Sequence, residues 1–231
     1  RQALAQDLIK AKLDLAVITS PDSIAWLLNI RGNDVAHTPL PLSYAFLHAS
    51  GQVDLFIDER KLTSAARRHL GNEVHILSPH DFTAALKRHG QNKSRILIDA
   101  RSAPAAVYEH LKTAGGIIFK GTDLCTRPKA LKNAVEIAGT KAAHLRDGAA
   151  LTRFLAWLSR TAPAGHLTEM SAAAQLLAFR RETGVLRDTS FTTISGAGPN
   201  GAIVHYRVSP ETDRSIRNGD IYLVDSGGQY R

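Results

Sequence analysis

The chain has 231 residues, of which 44% are hydrophobic and 22% charged, a composition typical of a globular protein and not of a disordered one. Its net charge is 29 − 21 = +8, but basic and acidic residues are interleaved and few aromatic side chains accompany them, so we expect no nucleic-acid partner. No apolar run approaches the roughly 20 residues that span a bilayer, so no membrane partner is expected, and a single cysteine excludes an internal disulfide and favours a cytoplasmic location.

Up to about residue 120, short β-branched runs alternate with amphipathic stretches, which predicts a layered α/β domain. Pro21 and Pro79 each follow a serine and are expected to open helices, and Gly90 is expected to end the second. The pair Ser50-Gly51 between two of the runs indicates a hairpin, so the sheet should be mixed. The predicted strands are Leu15 to Thr19, Ser43 to Ala49, Val53 to Asp58, Glu73 to Leu77, Arg95 to Asp99 and Gly116 to Phe119.

Residues 121 to 133, GTDLCTRPKALKN, interrupt this pattern and predict a domain boundary. We place the first domain at residues 1–127 and the second at residues 128–231. The second is expected to hold a helix from Asn133 to about Thr161 and another from Thr168 towards Gly184. Two β-branched runs around a glycine-rich turn follow in SFTTISGAGPNGAIVHYRV, and a last strand is expected in NGDIYLVDSGG.

Two motifs in the second domain suggest functions that their surroundings exclude. GAGPNG, residues 196–201, fits the G-x-G-x-x-G pattern of dinucleotide sites, but a strand-like run follows where that motif needs a helix, so we predict a tight or bulged β-turn. Asp225-Ser226-Gly227-Gly228 is similar to the nucleophile motif of trypsin-like proteases, but Val224 replaces a required glycine and the chain lacks disulfides. Cys125 has no neighbouring histidine pattern and is expected to pack in a core.

Asp225 and His205 each end a strand-like run, 20 residues apart, so neighbouring strands could bring the two side chains together. Asp225 either caps an ordinary turn or enters a site, and the spacing does not decide between these. His205 could equally be a satisfied structural histidine. Arg31, Gly32 and Asp34 form a polar turn after the helix that holds Trp26, and this turn is either solvent-exposed or placed for substrate or inter-domain contacts.

Three stretches taken in order carry a resemblance to a known family. TISGAGPNGAIVHYRVSPETDRSIRNGDIYLVDSGGQYR resembles the central motif block of the Xaa-Pro aminopeptidases, which belong to the pita-bread metallopeptidases. PDSIAWLLNIRGNDVAHTPLPLSYAFL is similar to the second domain of the three-domain form, and PKALKNAVEIAGTKAAHLRDGAAL to the entry of its catalytic domain. The implied fold is a creatinase N-terminal-like mixed-sheet α/β domain followed by an incomplete pita-bread α+β domain.

The resemblance implies hydrolysis of the bond between an N-terminal residue and a following proline, by two divalent ions, usually Mn²⁺. In that family the first metal-ligand aspartate stands in the Asp-Ser-Gly motif, which falls on Asp225, and a histidine of the His-Tyr motif assists at the substrate or leaving group, which falls on His205. The implied partners are peptides with proline in second position and, since the family often dimerises, a second copy of the chain. Arg31 and Asp34 are candidates for substrate or inter-domain contacts.

The family's remaining ligands, a further aspartate, a histidine and two glutamates, would lie beyond Arg231. We therefore expect the chain to be a segment of a longer protein, with no tightly bound metal and no activity of its own. Two alternatives stay open: a non-catalytic pita-bread protein that binds peptides or proteins, and a creatinase-like amidinohydrolase that works without metal. The residues after Tyr230 in the full gene would discriminate between the three, and Asp225 favours the metallopeptidase.

Overall fold

The computed structural model describes residues 1–230 and divides the chain into two compact units, Arg1–Lys132 and Asn133–Arg231. The domain boundary placed after residue 127 from sequence remains a prediction. Among the described residues, no helix combines the length and the apolar character needed to cross a membrane.

The first unit is built on one six-stranded mixed sheet. Its strands are β1 (Leu15–Ile18), β2 (Tyr44–His48), β3 (Val53–Phe56), β4 (Val74–Leu77), β5 (Arg95–Ile98) and β6 (Ile117–Lys120). They lie in the order β4-β3-β2-β1-β5-β6, with β2 antiparallel to both β1 and β3 and the other pairs parallel. All six predicted strands are confirmed, and so is the hairpin, where Gly51 takes the φ of +90° that its tight turn requires.

Six helices accompany this sheet: α1 (Gln2–Lys10), α2 (Pro21–Leu28), α3 (Ser64–Leu70), α4 (Phe82–Gln91), α5 (Ala105–Thr113) and α6 (Thr126–Ala130). One hydrophobic cluster includes Leu8 and Ile24 from α1 and α2, and another includes Leu86 and Leu111 from α4 and α5. Cys125 lies fully buried in the first cluster, as expected for a packing residue. Burial, followed by the nearby Asp123 carboxylate, raises the pKa of its thiol.

The helix ends in this unit differ in detail from the sequence prediction. Pro21 opens α2 as expected, but the side chain of Ser20 makes no capping hydrogen bond. Residues Pro79–Asp81 form a separate 3₁₀ turn ahead of α4. Gly90 does not end α4, which runs one residue further to Gln91. A Cβ at Gly90 would be 2.5 Å from the Cβ of Ala114. That glycine lets α4 and the end of α5 approach closely.

The second unit combines two helices with two short antiparallel strand pairs. Its elements are α7 (Ala134–Thr161), α8 (Glu169–Arg181), β7 (Leu186–Thr189), β8 (Ile194–Ala197), β9 (Tyr222–Asp225) and β10 (Gly228–Tyr230). Strand β8 pairs with β9, and β7 pairs with β10. Both predicted helices are confirmed, and each begins with a capping box, at Asn133 and at Thr168. Phe154 and Leu176 are fully buried where α7 and α8 pack together.

A buried ion pair joins the elements of this unit. The Arg180 side chain, 1% exposed, donates to both carboxylate oxygens of Asp147 at 2.7 and 3.1 Å. Tyr230 Oη donates to the same carboxylate at 2.6 Å. Burial acts to raise the pKa of Asp147, but the hydrogen bonds from Arg180 and Tyr230 outweigh it and lower that pKa. The pair therefore fastens α7, α8 and β10, the strand that follows the Asp-Ser-Gly-Gly turn.

Candidate functional site

Asp225 is the last residue of β9, opposite Ile194 of β8. Its side chain is exposed, and among residues 1–230 its carboxylate has no hydrogen-bond or ion-pair partner. The strand-end position predicted from the apolar run is confirmed. The turn-capping alternative lacks the hydrogen bond that a capping side chain would accept, so this carboxylate is available to a ligand.

His205 does not end a strand, contrary to the sequence prediction. The glycine-rich segment predicted as a β-turn forms a 3₁₀ helix over Gly198–Ala202, and the run predicted as a strand, residues 202–206, continues from the end of that helix into a turn. His205 is exposed in this turn and has a φ of +54°, the left-handed region that non-glycine residues rarely occupy. The strand beside β9 is β8, so the two residues do not lie on neighbouring strands. Their roles as catalytic residue and metal ligand remain predictions.

The turn that holds His205 is anchored by a buried glutamate. Glu169, fully buried in the first turn of α8, accepts hydrogen bonds from Tyr206 Oη at 2.8 Å and from the backbone N–H of Ala197 at 2.6 Å. Asn200 Nδ2 donates to both of its oxygens at 3.0 and 3.1 Å, and Arg214 N–H donates at 3.2 Å. Burial and this nearby carboxylate raise the pKa of Tyr206. One carboxylate thus fixes the end of β8, the glycine-rich turn and the residue after His205.

The glycine-rich turn packs tightly against the strand before it. A Cβ on Gly196 would lie 2.9 Å from the backbone nitrogen of Gly201, closer than real Cβ atoms approach. Ser195 Oγ, inside β8, donates to the Glu169 carbonyl at 2.7 Å and lies 2.7 Å from Tyr222 Oη of β9. These contacts fix β8 and the start of β9, the strand that ends at Asp225.

In the first unit, the polar turn after α2 is tied down within its own unit. Asp34 Oδ2 accepts from Leu42 N–H and from Lys61 Nζ, both at 2.6 Å. The hydrogen bond from Lys61 is the largest cause of a lowered pKa at Asp34. Arg31 donates to the carbonyl of Ile30. The turn lines a cleft of about 370 Å³ with Lys61 and neighbouring residues, so Asp34 orders the loop, and a substrate or inter-domain role for Arg31 and Asp34 remains a prediction.

Sequence reasoning missed Glu169, Asn200 and Tyr206 as a group. Glu169 reads as an ordinary first-turn acid that suits the helix dipole, and Asn200 reads as a turn residue. None of the three therefore carries a local signal for the group. The hydrogen bonds that bring these groups to Glu169 join residues that lie 28 to 45 positions apart in the sequence.

Comparison with known proteins yields matches along the whole chain. Residues 1–136 match the family described as Creatinase/Prolidase N-terminal domain, and residues 138–231 match Metallopeptidase family M24. A "Probable Xaa-Pro aminopeptidase P" of Coprinopsis cinerea is 36% identical over 97% of the chain and 38% of its own length. "Aminopeptidase P2" of Arabidopsis thaliana is 34% identical over 99% of the chain and 36% of its own length.

Among solved structures, an X-prolyl aminopeptidase from Caenorhabditis elegans superposes with a TM-score of 0.88 at 28% identity. The match covers 99% of the chain and 38% of that structure, which is described as a cytosolic enzyme with a di-nuclear active site. The chain therefore spans well under half the length of each of these three relatives.

Proposed function

With residues 1–136 in the creatinase/prolidase N-terminal domain family and residues 138–231 in metallopeptidase family M24, the chain belongs to the M24 metallopeptidases, and from this premise we propose that the protein carrying it is a Xaa-Pro aminopeptidase. It would hydrolyse the bond between an N-terminal residue and a penultimate proline. The observation that carries the proposal is the exposed carboxylate of Asp225 at the end of β9, which has no partner among residues 1–230 and stands where the family motif has a metal ligand. The names of the C. cinerea and C. elegans relatives supply the substrate class.

The residues of this chain fit a dinuclear metal centre as one part of its ligand set. A carboxylate without a protein partner is the hard oxygen ligand that divalent cations prefer. One such group cannot hold two cations, and no other described acid or histidine joins Asp225 in a cluster with metal-ligand spacing. We therefore propose that Asp225 is one of several ligands, that the ions are Mn²⁺, and that the 231-residue polypeptide alone neither holds the pair nor turns over peptide.

When bound, the two ions would supply a polarised scissile carbonyl and a water of lowered pKa, which a proline peptide needs because its tertiary amide lacks an N–H group and has a fixed φ. His205 would donate a hydrogen bond to the scissile carbonyl or to the departing proline nitrogen. Its exposed, left-handed position supports this, since strained residues held by a fixed scaffold concentrate at functional sites. Glu169 and Tyr206 fix the backbone of the turn that carries His205.

Finer features of the proposal rest on the resemblance and on the relatives. We propose a cytoplasmic homodimer, with Arg31 and Asp34 making substrate or inter-domain contacts and a domain boundary after residue 127. The C. elegans relative, described as cytosolic with a di-nuclear site, supports the location and the number of metals. The peptide-binding and creatinase-like alternatives both predict that the full-length protein has no metal-dependent hydrolysis of Xaa-Pro peptides.

The test separates the two residues in the full-length protein, with an Arg-Pro-Pro peptide as substrate. Asp225→Ala should lose bound metal and activity together. His205→Ala should keep its metal and fold but lower kcat/KM at least about a hundredfold, the scale of a positioned acid or hydrogen-bond donor. Glu211→Gln and His166→Ala remove an exposed acid and an exposed histidine of the same unit and should change neither quantity.

Two outcomes would contradict the proposal. Full activity in Asp225→Ala with metal retained would remove this residue from the site, and a full-length protein that neither binds metal nor cleaves the peptide would favour the alternatives. Unchanged kinetics in His205→Ala with intact metal would leave His205 a structural turn residue.

A further inference from the structure

A second group of potential metal ligands lies in the first unit, at the edge of the sheet face that α4 covers. Asp54 of β3 stands opposite Phe46 of β2, so His48, two residues along β2, points to the same face on a diagonal from Asp54. His89, in the last turn of α4, packs edge-on against the Phe46 ring with centroids 5.3 Å apart. Two strands and a helix therefore deliver two imidazoles and one carboxylate to the same place.

The three side chains are close enough to share one ion. His48 Nε2 lies 3.0 Å from Asp54 Oδ2, and one ligand atom from each of His48, Asp54 and His89 lies within 4.8 Å of the other two. Ligands at about 2.0–2.2 Å from zinc are roughly 3.3 Å apart. Side-chain rotations that shorten the largest ligand–ligand distance by about 1.5 Å would therefore bring the three atoms to zinc-ligand spacing.

Two further polar atoms of the cluster already have partners of the kind that metal ligands have. The second oxygen of Asp54 lies 3.0 Å from His75 Nδ1, on the adjacent strand. His89 Nδ1 lies 3.3 Å from Ser94 Oγ, which leaves Nε2 for an ion. Hydrogen bonds on the far side of a ligand fix its orientation and strengthen its donor atom.

The cluster is accessible from solvent. The cluster is about four-fifths buried at His48 and Asp54, with the half-exposed His75 at its solvent edge, so an ion has a path in.

We infer that His48, Asp54 and His89 form a binding site for one divalent transition-metal ion of the zinc type. Two imidazoles and a carboxylate are ligands that zinc accepts, and a three-residue set leaves a fourth position for water. On binding, the ion replaces the proton between His48 Nε2 and Asp54 Oδ2, which shifts to His48 Nδ1 or is released to solvent. This site does not use Asp225 and does not rest on the proposed peptidase activity.

The inference is tested on the 231-residue chain by calorimetry with Zn²⁺ and by visible absorption with Co²⁺. One equivalent should bind at pH 7, with the stronger visible bands of low-coordinate Co²⁺. His48→Ala and His89→Ala should each weaken binding by at least about 100-fold, and His75→Ala by about 10-fold, because loss of an outer partner typically costs 10–100-fold. His80→Ala, which removes an exposed histidine of the same unit, and Asp225→Asn should leave binding unchanged.

Circular dichroism of each variant shows whether it folds. If an alanine variant does not fold, the double variant His48→Gln/Asp54→Asn is measured in its place. Absence of Zn²⁺ binding, a weak octahedral Co²⁺ spectrum, or binding that survives loss of both His48 and His89 would overturn the inference. Loss of binding in Asp225→Asn alone would assign the ion to the second unit and would overturn it as well, whatever the peptidase assay shows.

Discussion

Glu169 shows how much of the second unit depends on a single side chain. It is fully buried, has no ion-pair partner among residues 1–230, and accepts hydrogen bonds from four donors: Ala197 N, Asn200 Nδ2, Tyr206 Oη and Arg214 N. The four donors and the N-terminus of α8 together replace the water that a carboxylate would lose on burial.

We expect Glu169→Ala to lower the free energy of unfolding of the second unit by about 2–4 kcal/mol, because several buried donors lose their acceptor at once. Urea unfolding measures this, with Trp157 fluorescence as the probe in a Trp26→Phe background, since these are the two tryptophans of the chain. Glu182→Ala is the matched control. Its partner Arg153 and Glu182 itself are each 53% exposed, so its loss should cost less than about 1 kcal/mol. Equal losses in the two variants would contradict the anchoring role of Glu169.

At the scale of elements, α7 is a 28-residue helix that contains two glycines, Gly139 and Gly148. A Cβ at either position would meet no atom within 4 Å. Neither glycine is therefore required by packing within the described chain, and each leaves the unfolded chain more freedom than alanine would.

Gly148→Ala should raise the free energy of unfolding of the second unit by about 0.5–1 kcal/mol. Gly90→Ala is the contrasting change, because its Cβ would be 2.5 Å from that of Ala114, and it should destabilise the first unit. Urea midpoints of the two variants, followed by Trp157 and Trp26 fluorescence, check both signs. A destabilised Gly148→Ala would show that α7 needs a glycine for a reason that these contacts do not reveal.

The expected fold, a mixed-sheet α/β domain followed by a pita-bread α+β domain, is confirmed, and its elements show why some were predictable. β1 and the middle of β2 are buried, so they appear in the sequence as continuous apolar runs. Ile203 and Val204 are β-branched like the residues of those strands, but they have no strand beside them and both are exposed. β propensity alone does not form a strand. β7 and β10 lack an apolar pattern and were missed, since only their mutual pairing defines them.

The candidate site follows the same division. The position of Asp225 at a strand end was predictable because the apolar run before it is a local signal. The position of His205 was not, because it depends on the turn from Gly196 to Gly201 folding back onto β8 and on Glu169, more than 30 residues upstream. The cluster of His48, Asp54 and His89 is likewise set by strand register and helix packing. The residue types alone do not reveal either of these.

For the whole molecule, the two units differ in how completely each buries its apolar residues. The first has hydrophobic clusters that draw on the sheet and on helices from its beginning to α5. The second has one smaller cluster. It also exposes at least three quarters of four large apolar side chains: Val135, Leu145, Val204 and Ile221.

We therefore expect residues 1–132 expressed alone to fold and unfold cooperatively, and residues 133–231 alone to be less stable and to bind a hydrophobic dye such as ANS. Urea unfolding with Trp26 as the probe in one piece and Trp157 in the other compares them. If residues 1–132 give a broad, non-cooperative transition while residues 133–231 unfold sharply, the assignment of the two cores is wrong.

The buried thiol of Cys125 makes local opening of the first unit measurable by chemical labelling. Thiol reagents attack the thiolate, and the raised pKa and full burial leave almost none of it exposed in the folded chain. Because the chain has no other cysteine, every labelling event records one opening of the first unit around α6. The labelling rate therefore reports how often the core around Cys125 opens. An ion held between β2, β3 and α4 would slow the labelling if that opening also separates the ion's ligands.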